Sequence, residues 1–447
     1  MMIGDMMITN VECKSIDNYG YGEFVQGYKI YKIPNLLPGE IAKVELFNNG
    51  TGKVREYVSL SNERLKPKCP RYFECGGCQL QHFSYEKQLE LKMSSVKDAF
   101  EKYGVVVKTF LPIIPAKSPY HYRNKNQMII SLKGKKVMSG FYEEFTHNII
   151  NVDECVIQDD RANQIIKTMR TLFQQQHIEP YDEDKKTGLI RHVLIRTSES
   201  TGEVLVVIVA KEEMFPGRNN FVKALREAHP EITSIVQNIN SRTTSVILGD
   251  FERILYGSGS IKDQLLGKTF LISTKTFYQV NSRQTETLYK KALELAKPKK
   301  DETMLDLYCG VGTIGIIFSD YVKKVIGVEI NKDSVKNAII NSRINHADNA
   351  RFYQSDALDY MIKVIDEKVK IDILLVDPPR EGLNAEFIKL LLRMKPKKFV
   401  YISCNPETLA RDVQNLTRED YSLVQVHPID LFPQTNHVES VTLLELK

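Results

Sequence analysis

Residues 399–403 read as a buried strand, which the chain leaves through Ser403-Cys404-Asn405-Pro406. A cysteine in the turn after a strand, beside Asn-Pro, is placed to act as a nucleophile. A lone cysteine in a strand is more often a buried packing residue, so the turn is what favours chemistry. Such a thiol needs a partner that moves protons. Phe432-Pro433-Gln434-Thr435-Asn436-His437-Val438-Glu439 precedes the last apolar strand, 441–446, and offers His437 and Glu439. Glu439 is the expected general base. A thiol with a pKa near 8.5 is only a few per cent ionised at neutrality, so local activation of Cys404 is expected.

A second loop concerns a cofactor. Leu305-Asp306-Leu307-Tyr308-Cys309-Gly310-Val311-Gly312 follows a strand and opens a helix. Glycines there permit a tight turn and close approach of a ligand to the backbone. Gly310, Gly312 and Gly315 meet the spacing G-x-G-x-x-G, and Glu329 ends the next strand ~20 residues on, where an acid binds ribose hydroxyls. This pattern alone suits a nicotinamide dinucleotide as well as a methyl donor, so an oxidoreductase stays open. Asp356 follows the third strand, where methyl-donor folds often contact adenine. The fourth strand ends in Asp377-Pro378-Pro379-Arg380, an acid and two prolines making a rigid, exposed edge at the ligand crevice. That combination recurs in methyltransferases of nucleobases and has no role in hydride transfer. C5 of uracil is a poor nucleophile toward a sulfonium methyl. A thiolate that adds to C6 makes the ring an enolate, and a base must later remove the C5 proton. One cysteine and one base beside a methyl donor meet that need.

Cys69, Cys75 and Cys78 show the spacing C-x5-C-x2-C, and Cys155 could close a set of four from a distant loop. Four thiolates hold either tetrahedral zinc or a [4Fe–4S] cluster, and spacing does not choose between them. A barrel and a metal-stapled loop alone would also suit a non-catalytic RNA-binding protein, which leaves Cys404 and Asp377 unexplained.

The elements that must position these groups follow from the pattern. The 447 residues exceed one core. Short strands at 8–13, 27–33, 41–46 and 52–60, broken by Gly-containing turns, suggest a small barrel. A helix over 85–102, capped by Ser84, has Tyr85, Leu89, Met93, Val96 and Phe100 on one face. The middle mixes strands (126–132, 203–210, 234–238) with helices (160–175, 219–227). From about 270, strands at 304–308, 325–329, 371–377 and 399–403 alternate with helices such as 332–345 and 385–393, which predicts a parallel sheet covered on both faces. The fold class is therefore α/β, with a Rossmann-like carboxy-terminal domain, a mixed α+β centre and a small amino-terminal β-barrel.

Composition sets the outer limits. Hydrophobic residues make up 42% and charged residues 26%, as in an ordinary globular chain. No apolar run approaches the ~20 residues that span a bilayer, and no signal peptide is evident. Seven cysteines in such a chain argue against a disulfide framework, so a cytoplasmic protein without a membrane partner is expected. The net charge of +5 is mild, but residues 102–142 carry eight Lys or Arg and no Asp or Glu. With Tyr120, His121 and Tyr122 beside Arg123 and Lys125, that stretch suits either RNA or a solvated face.

With these motifs assembled, the chain resembles the bacterial RNA uridine C5-methyltransferase family, in the branch that modifies 23S ribosomal RNA. The resemblance rests on Cys75-Gly76-Gly77-Cys78-Gln79-Leu80-Gln81-His82, Phe277-Tyr278-Gln279-Val280-Asn281, Asp306-Leu307-Tyr308-Cys309-Gly310, Asp377-Pro378-Pro379-Arg380, Ser403-Cys404-Asn405-Pro406 and Phe432-Pro433 through His437-Val438-Glu439. It implies a class I methyltransferase using S-adenosylmethionine, with Cys404 as nucleophile and Glu439 as proton acceptor. Gln279, Tyr308, Glu329 and Asp377 would contact the methyl donor; Gln279 is known only by this resemblance. Cys69, Cys75, Cys78 and Cys155 would hold a [4Fe–4S] cluster that organises the RNA-binding region. Three units are expected: an oligonucleotide-binding (TRAM-type) barrel at 1–62, a central unit with the cluster loop at 63–268, and the catalytic domain at 269–447. The same chemistry on transfer RNA is the main alternative, and a monomer without a protein partner suffices.

Overall fold

A computed structural model describes residues 7–108, 110–143, 146 and 148–447. At the amino terminus, Met7–Glu12, Ile41–Leu46 and Gly52–Ser59 form one three-stranded sheet, and Ser15–Ile16, Gly22–Gln26 and Lys29–Ile33 form another. Val11, Ile33, Leu36, Ala42 and Val44 fill a small core between them. The strand expected at 27–33 begins only at Lys29. Gln26 pairs with Lys29 across a two-residue loop, and Gly27 takes the positive φ of 62° such a loop requires.

The centre is a seven-stranded sheet built from Lys125–Lys133 to Phe251–Tyr256, with one face under helices Asp160–Gln175 and Arg218–Ala228. Val204–Ala210 is buried at every position, because it lies inside this sheet between Ile190–Thr197 and Ile232–Ile239.

The carboxy-terminal sheet positions the chemistry. Its strands are β1 (Thr303–Leu307), β2 (Lys324–Glu329), β3 (Ala350–Gln354), β4 (Ile373–Val376), β5 (Lys398–Ser403), β6 (Tyr421–Ile429) and β7 (Glu439–Leu446). Their spatial order is 3-2-1-4-5-7-6. The first five run parallel, and β7 lies antiparallel to both β5 and β6. The chain order reverses between β1 and β4, so a ligand crevice opens at the carboxyl ends of those strands. Because β7 runs the opposite way, its first residue, Glu439, comes to the edge where β5 ends: Ser403 pairs with Ser440. One face packs on helix Ser282–Ala296 and the other on helix Tyr85–Lys102. The hairpin Ser260–Leu265/Lys268–Ser273 also packs into this core through Ile261, Leu265, Phe270 and Ile272.

Helix Tyr85–Lys102 has the expected bounds and cap, Ser84 accepting from the Lys87 amide. Its buried face differs from the apolar stripe: Gln88, Lys92, Val96, Ala99 and Phe100 turn inward, while Leu89 and Met93 are half-buried. The polar pair is drawn in by the segment before β7. Lys92 Nζ lies 2.6 Å from the Asp430 carboxylate and donates to the Phe432 carbonyl at 3.0 Å. Tyr85 donates to the same carboxylate at 2.7 Å, and Gln88 exchanges two hydrogen bonds with Gln434. The Lys92–Asp430 pair is essentially inaccessible to water, at 1% and 0% exposure. Removing one partner leaves a buried charge uncompensated, at a cost of about 3–5 kcal/mol. Lys92→Met is expected to lose that much stability in denaturant unfolding; a loss below ~1 kcal/mol would show that water reaches the pair.

Candidate active site

The crevice begins where β1 ends. Tyr308, Gly310 and Gly312 all have positive φ, at 63°, 54° and 78°, a conformation that costs a tyrosine energy and is held here by its surroundings. Tyr308 stacks on Phe387 at 6.3 Å. The buried Asp306 accepts from the Gly315 amide at 3.0 Å and anchors the following helix turn. Burial drives its pKa up to about 8, against that amide.

The glycine spacing has a different basis from the one its pattern suggests. A Cβ on Gly312 would stand 2.7 Å from the Phe352 ring, and one on Gly315 would stand 3.0 Å from the Asp306 carboxylate. Both serve packing of the helix on the sheet. Only Gly310 faces open space. Glu329 closes this side, accepting from the Gly310 amide at 3.1 Å and the Asn331 amide at 2.8 Å. Asp356 caps helix Ala357–Asp366 through the Leu358 amide at 2.8 Å.

Across the switch point, the Asp377 carboxylate follows β4 and accepts from the Gln279 side chain. Gln279 is buried, and its own carbonyl accepts from Asn124 Nδ2 at 3.0 Å. Its segment is tied down by the buried Asp263, which takes hydroxyl hydrogen bonds from Ser198, Ser200, Tyr278 and Ser282 at 2.6–3.1 Å. After β5, Asn405 caps helix Pro406–Thr417 and donates to the Arg380 carbonyl at 3.1 Å. The Asn-Pro pair thus turns the chain sharply and leaves Cys404 at the strand end.

Cys404, Asp377 and Glu439 meet at this edge, each influencing another electrostatically, with Arg380 as the cation beside Cys404 and Glu439. Glu439 is 4% exposed. Burial, then the neighbouring Asp377, holds its carboxyl well above the usual range, against Arg380. Burial pushes Asp377 up to about 7, opposed by the Gln279 hydrogen bond. Burial first, then the two carboxylates, push the Cys404 thiol up to about 11, the opposite direction from the expected activation, and Arg380 alone of its charged neighbours favours the thiolate. The edge as a whole resists negative charge. His437 approaches Arg380 at 3.1 Å, and burial with that guanidinium lowers it to about 4. It is a much weaker base at neutrality than a carboxylate with a raised pKa, which separates the two candidates before β7.

Cys69, Cys75, Cys78 and Cys155 line one cavity of about 480 Å³. All seven cysteines of the chain are thiols. Burial pushes Cys78 up to about 12 and Cys155 to about 11, and other thiols of the set add to both shifts. Among the described residues, no three His, Cys, Asp or Glu side chains converge closely enough to hold a single ion. From the basic stretch, Arg123 and Lys125 face this cavity. The cysteine loop also reaches the active edge, since the amides of Gln79 and Leu80 donate to the Gln434 carbonyl.

Several of these groups carry no motif of their own. Lys92 and Arg196 are charged residues at inward positions of a helix and a strand, and that misfit is the only sign of them in the sequence. Asn124 and Asp263 gave no signal.

A family profile described as tRNA (Uracil-5-)-methyltransferase matches residues 84–447. The chain is 39% identical over 448 residues to an uncharacterized RNA methyltransferase of Halalkalibacterium halodurans, covering 99% of this chain and 97% of the relative. An uncharacterized RNA methyltransferase of Oceanobacillus iheyensis is 39% identical over 429 residues, or 95% and 93% of the two chains. Among solved structures, the tRNA (uracil-54, C5)-methyltransferase of Pyrococcus abyssi, in complex with S-adenosyl-L-homocysteine, superposes with a TM-score of 0.80 at 29% identity. That match covers 97% of this chain and 99% of the archaeal one.

Proposed function

Because the chain belongs to the tRNA (uracil-5-)-methyltransferase family and has the class I S-adenosylmethionine-dependent fold, we propose that it methylates C5 of a uridine in 23S ribosomal RNA through a covalent adduct with Cys404. The observation that carries this mechanism is the meeting of Cys404, Asp377 and Glu439 at one sheet edge, next to the Tyr308–Gly310 turn.

In the proposed reaction, the Cys404 thiol gives its proton to water and Sγ bonds to C6, moving the C5–C6 π electrons into an enolate. C5 then takes the methyl group, and the departing sulfur becomes S-adenosylhomocysteine. Glu439 removes the C5 proton; the electron pair restores the double bond and expels the thiolate. Gln279, Tyr308, Glu329 and Asp377 bind the donor. The target uridine must be unpaired or turned out of its helix to reach Cys404.

The electrostatics fix the expected pH dependence. A group serving as base must be deprotonated, and Asp377 and Glu439 are both raised, Asp377 to about 7. The thiol is raised further, to about 11. Turnover should therefore climb as pH rises through neutrality and keep climbing toward alkaline pH. A rate profile flat from pH 5 to 8 would exclude these groups from the limiting steps.

The resemblance of the Cys75-Gly76-Gly77-Cys78 loop and the amino-terminal unit favours ribosomal RNA. The second reading, transfer RNA, is favoured by the stated substrate of the Pyrococcus abyssi enzyme. Methyl-labelled S-adenosylmethionine, offered with unmodified 23S ribosomal RNA and transfer RNA in separate reactions, decides between them. Labelled 5-methyluridine from ribosomal RNA alone is the expected result, and label in transfer RNA alone overturns the substrate assignment.

The residues present suit a [4Fe–4S] cluster held by Cys69, Cys75, Cys78 and Cys155. Four half-buried thiols line one cavity, and four thiolates are a donor set that such a cluster accepts. Bound there, the cluster supplies a structural cross-link between the loop and Cys155, since methyl transfer involves no net oxidation or reduction. The unit at 1–62 is assigned as the oligonucleotide-binding barrel, supported by its two small sheets around one core. The units at 63–268 and 269–447 carry the cluster loop and the catalysis. No helix among the described residues is long and apolar enough to cross a membrane, and such a substrate places the reaction in the cytoplasm.

A further inference from the structure

The wall of the cysteine cavity is unusual in charge. Besides the four cysteines it includes Arg71, Arg123, Lys125 and Arg196, and no Asp or Glu. Arg71 pairs with Glu74. Arg123, Lys125 and Arg196 form no ion pair among the described residues. Arg196 is the extreme case, a guanidinium at 3% exposure on the central sheet, paired in register with Lys125 on the adjacent strand. It donates to the Thr276 carbonyl through Nη2, while its Nε–H has no acceptor. The buried Gln81 side chain, on the same cavity, hydrogen-bonds Cys78 and favours its thiolate.

Burying an unpaired cation costs several kcal/mol unless an anion accompanies it. Thiolates around any iron–sulfur or metal centre make such an anion, and they stand on the same wall as these donors. The Arg196 contact also leads elsewhere. Thr276 begins the segment in which Phe277, Tyr278 and Val280 line the cysteine cavity, while Gln279 turns the other way onto Asp377. The two sites thus share one wall, and Arg196 touches it from the cavity side.

We propose that Arg196 is a positioning residue that pairs with the anionic centre held by the four cysteines and, through Thr276, sets the Gln279 segment for the methyl donor. The inference rests on the cluster reading above. An arginine suits both tasks, because its fork donates in two directions at once. Lys125 faces the same cavity, whereas the hydrogen bond to the Thr276 carbonyl is made by Arg196, so Lys125 serves as the charge comparison.

The test compares the as-isolated holoprotein with Arg196→Met, Arg196→Lys and Lys125→Met. Iron and acid-labile sulfide are quantified, the midpoint potential is followed by electron paramagnetic resonance, and S-adenosylhomocysteine binding by calorimetry. Loss of a cation beside an anionic centre disfavours its reduced form, so Arg196→Met and Lys125→Met should both lower the potential, by about 59 mV for a tenfold shift in a one-electron equilibrium. Only Arg196→Met should also weaken S-adenosylhomocysteine, by about tenfold. Arg196→Lys should keep the potential and lose part of the affinity, and it carries the comparison if the Met variant sheds iron. Unchanged affinity in an iron-replete Arg196→Met protein overturns the link, and an unchanged potential overturns the pairing. A wild-type protein free of iron and sulfide overturns the cluster reading itself.

Discussion

Cys404→Ala is expected to abolish methyl transfer while leaving S-adenosylmethionine binding within a few-fold of the parent. The expected loss is on the order of 10⁵–10⁶ in turnover, the scale on which removal of a covalent nucleophile acts. Without Sγ the uracil ring is never converted to an enolate, and the remaining groups have only an unactivated C5 to work on. Donor binding should survive because the groups proposed to bind it stand at the ends of β1, β2 and β4 and on the Gln279 segment, whereas Cys404 follows β5. The fold should survive too. Cys404 is only half-buried, and removing a side chain there costs little compared with deleting one from a core. The check is a pair of measurements on one preparation, single-turnover methyl transfer and calorimetric donor binding. Turnover within tenfold of the parent would sink the covalent mechanism.

Glu439→Gln separates the first half of the reaction from the second. The replacement keeps size and hydrogen bonding but removes a negative charge that pushes the Cys404 thiol upward. Attack and methyl transfer should therefore still occur. The C5 proton then has no acceptor, so the ring stays attached to Sγ. The expected result is a protein–RNA adduct stable to denaturing electrophoresis that carries one labelled methyl group, with multiple turnover down by about 10²–10⁴. Loss of activity without adduct would mean that Glu439 acts before the methyl group moves. Adduct formation by Asp377→Asn instead would transfer the role of base to that neighbour. Arg380 should matter in both variants, because it is the cation beside this edge.

The sequence discloses much of this arrangement, and what it conceals has physical reasons. Alternating apolar strands and helices after residue 270 reflect a local rule, that a strand buried on both faces reads as a continuous apolar run. Cys404, Asp377 and Glu439 each stand next to a strand end, so a parallel sheet gathers them without further information. The antiparallel course of β7 was not legible, yet it alone brings Glu439 to the end of β5. Gln279 lies in a loop that crosses from the central sheet, and nothing local to residues 277–281 points to Asp377; resemblance was needed. The inward face of helix Tyr85–Lys102 was misjudged because Gln88 and Lys92 look like solvent-facing residues until the 430–434 segment gives them partners. The electrostatics around Cys404 are hidden from the sequence for a related reason. Its thiol responds to carboxylates contributed by β4 and β7, and spacing along a chain does not convey repulsion between strands. The G-x-G-x-x-G pattern drew attention to the right turn, although Gly312 and Gly315 are there for Phe352 and Asp306.

The Lys92–Asp430 pair also has a consequence in time. Its members are separated by 338 residues, so at a synthesis rate of about 5–20 residues per second the lysine waits roughly 17–68 s for its partner to be translated. During that interval the helix bears an unclaimed cation and glutamine on the face it will later bury, and β6 and β7 have yet to emerge. The core around this helix therefore cannot close as its amino-terminal half leaves the ribosome. A nascent chain halted before residue 430 should keep the helix protease-sensitive and associated with a holding chaperone, and release should coincide with the arrival of the final two strands.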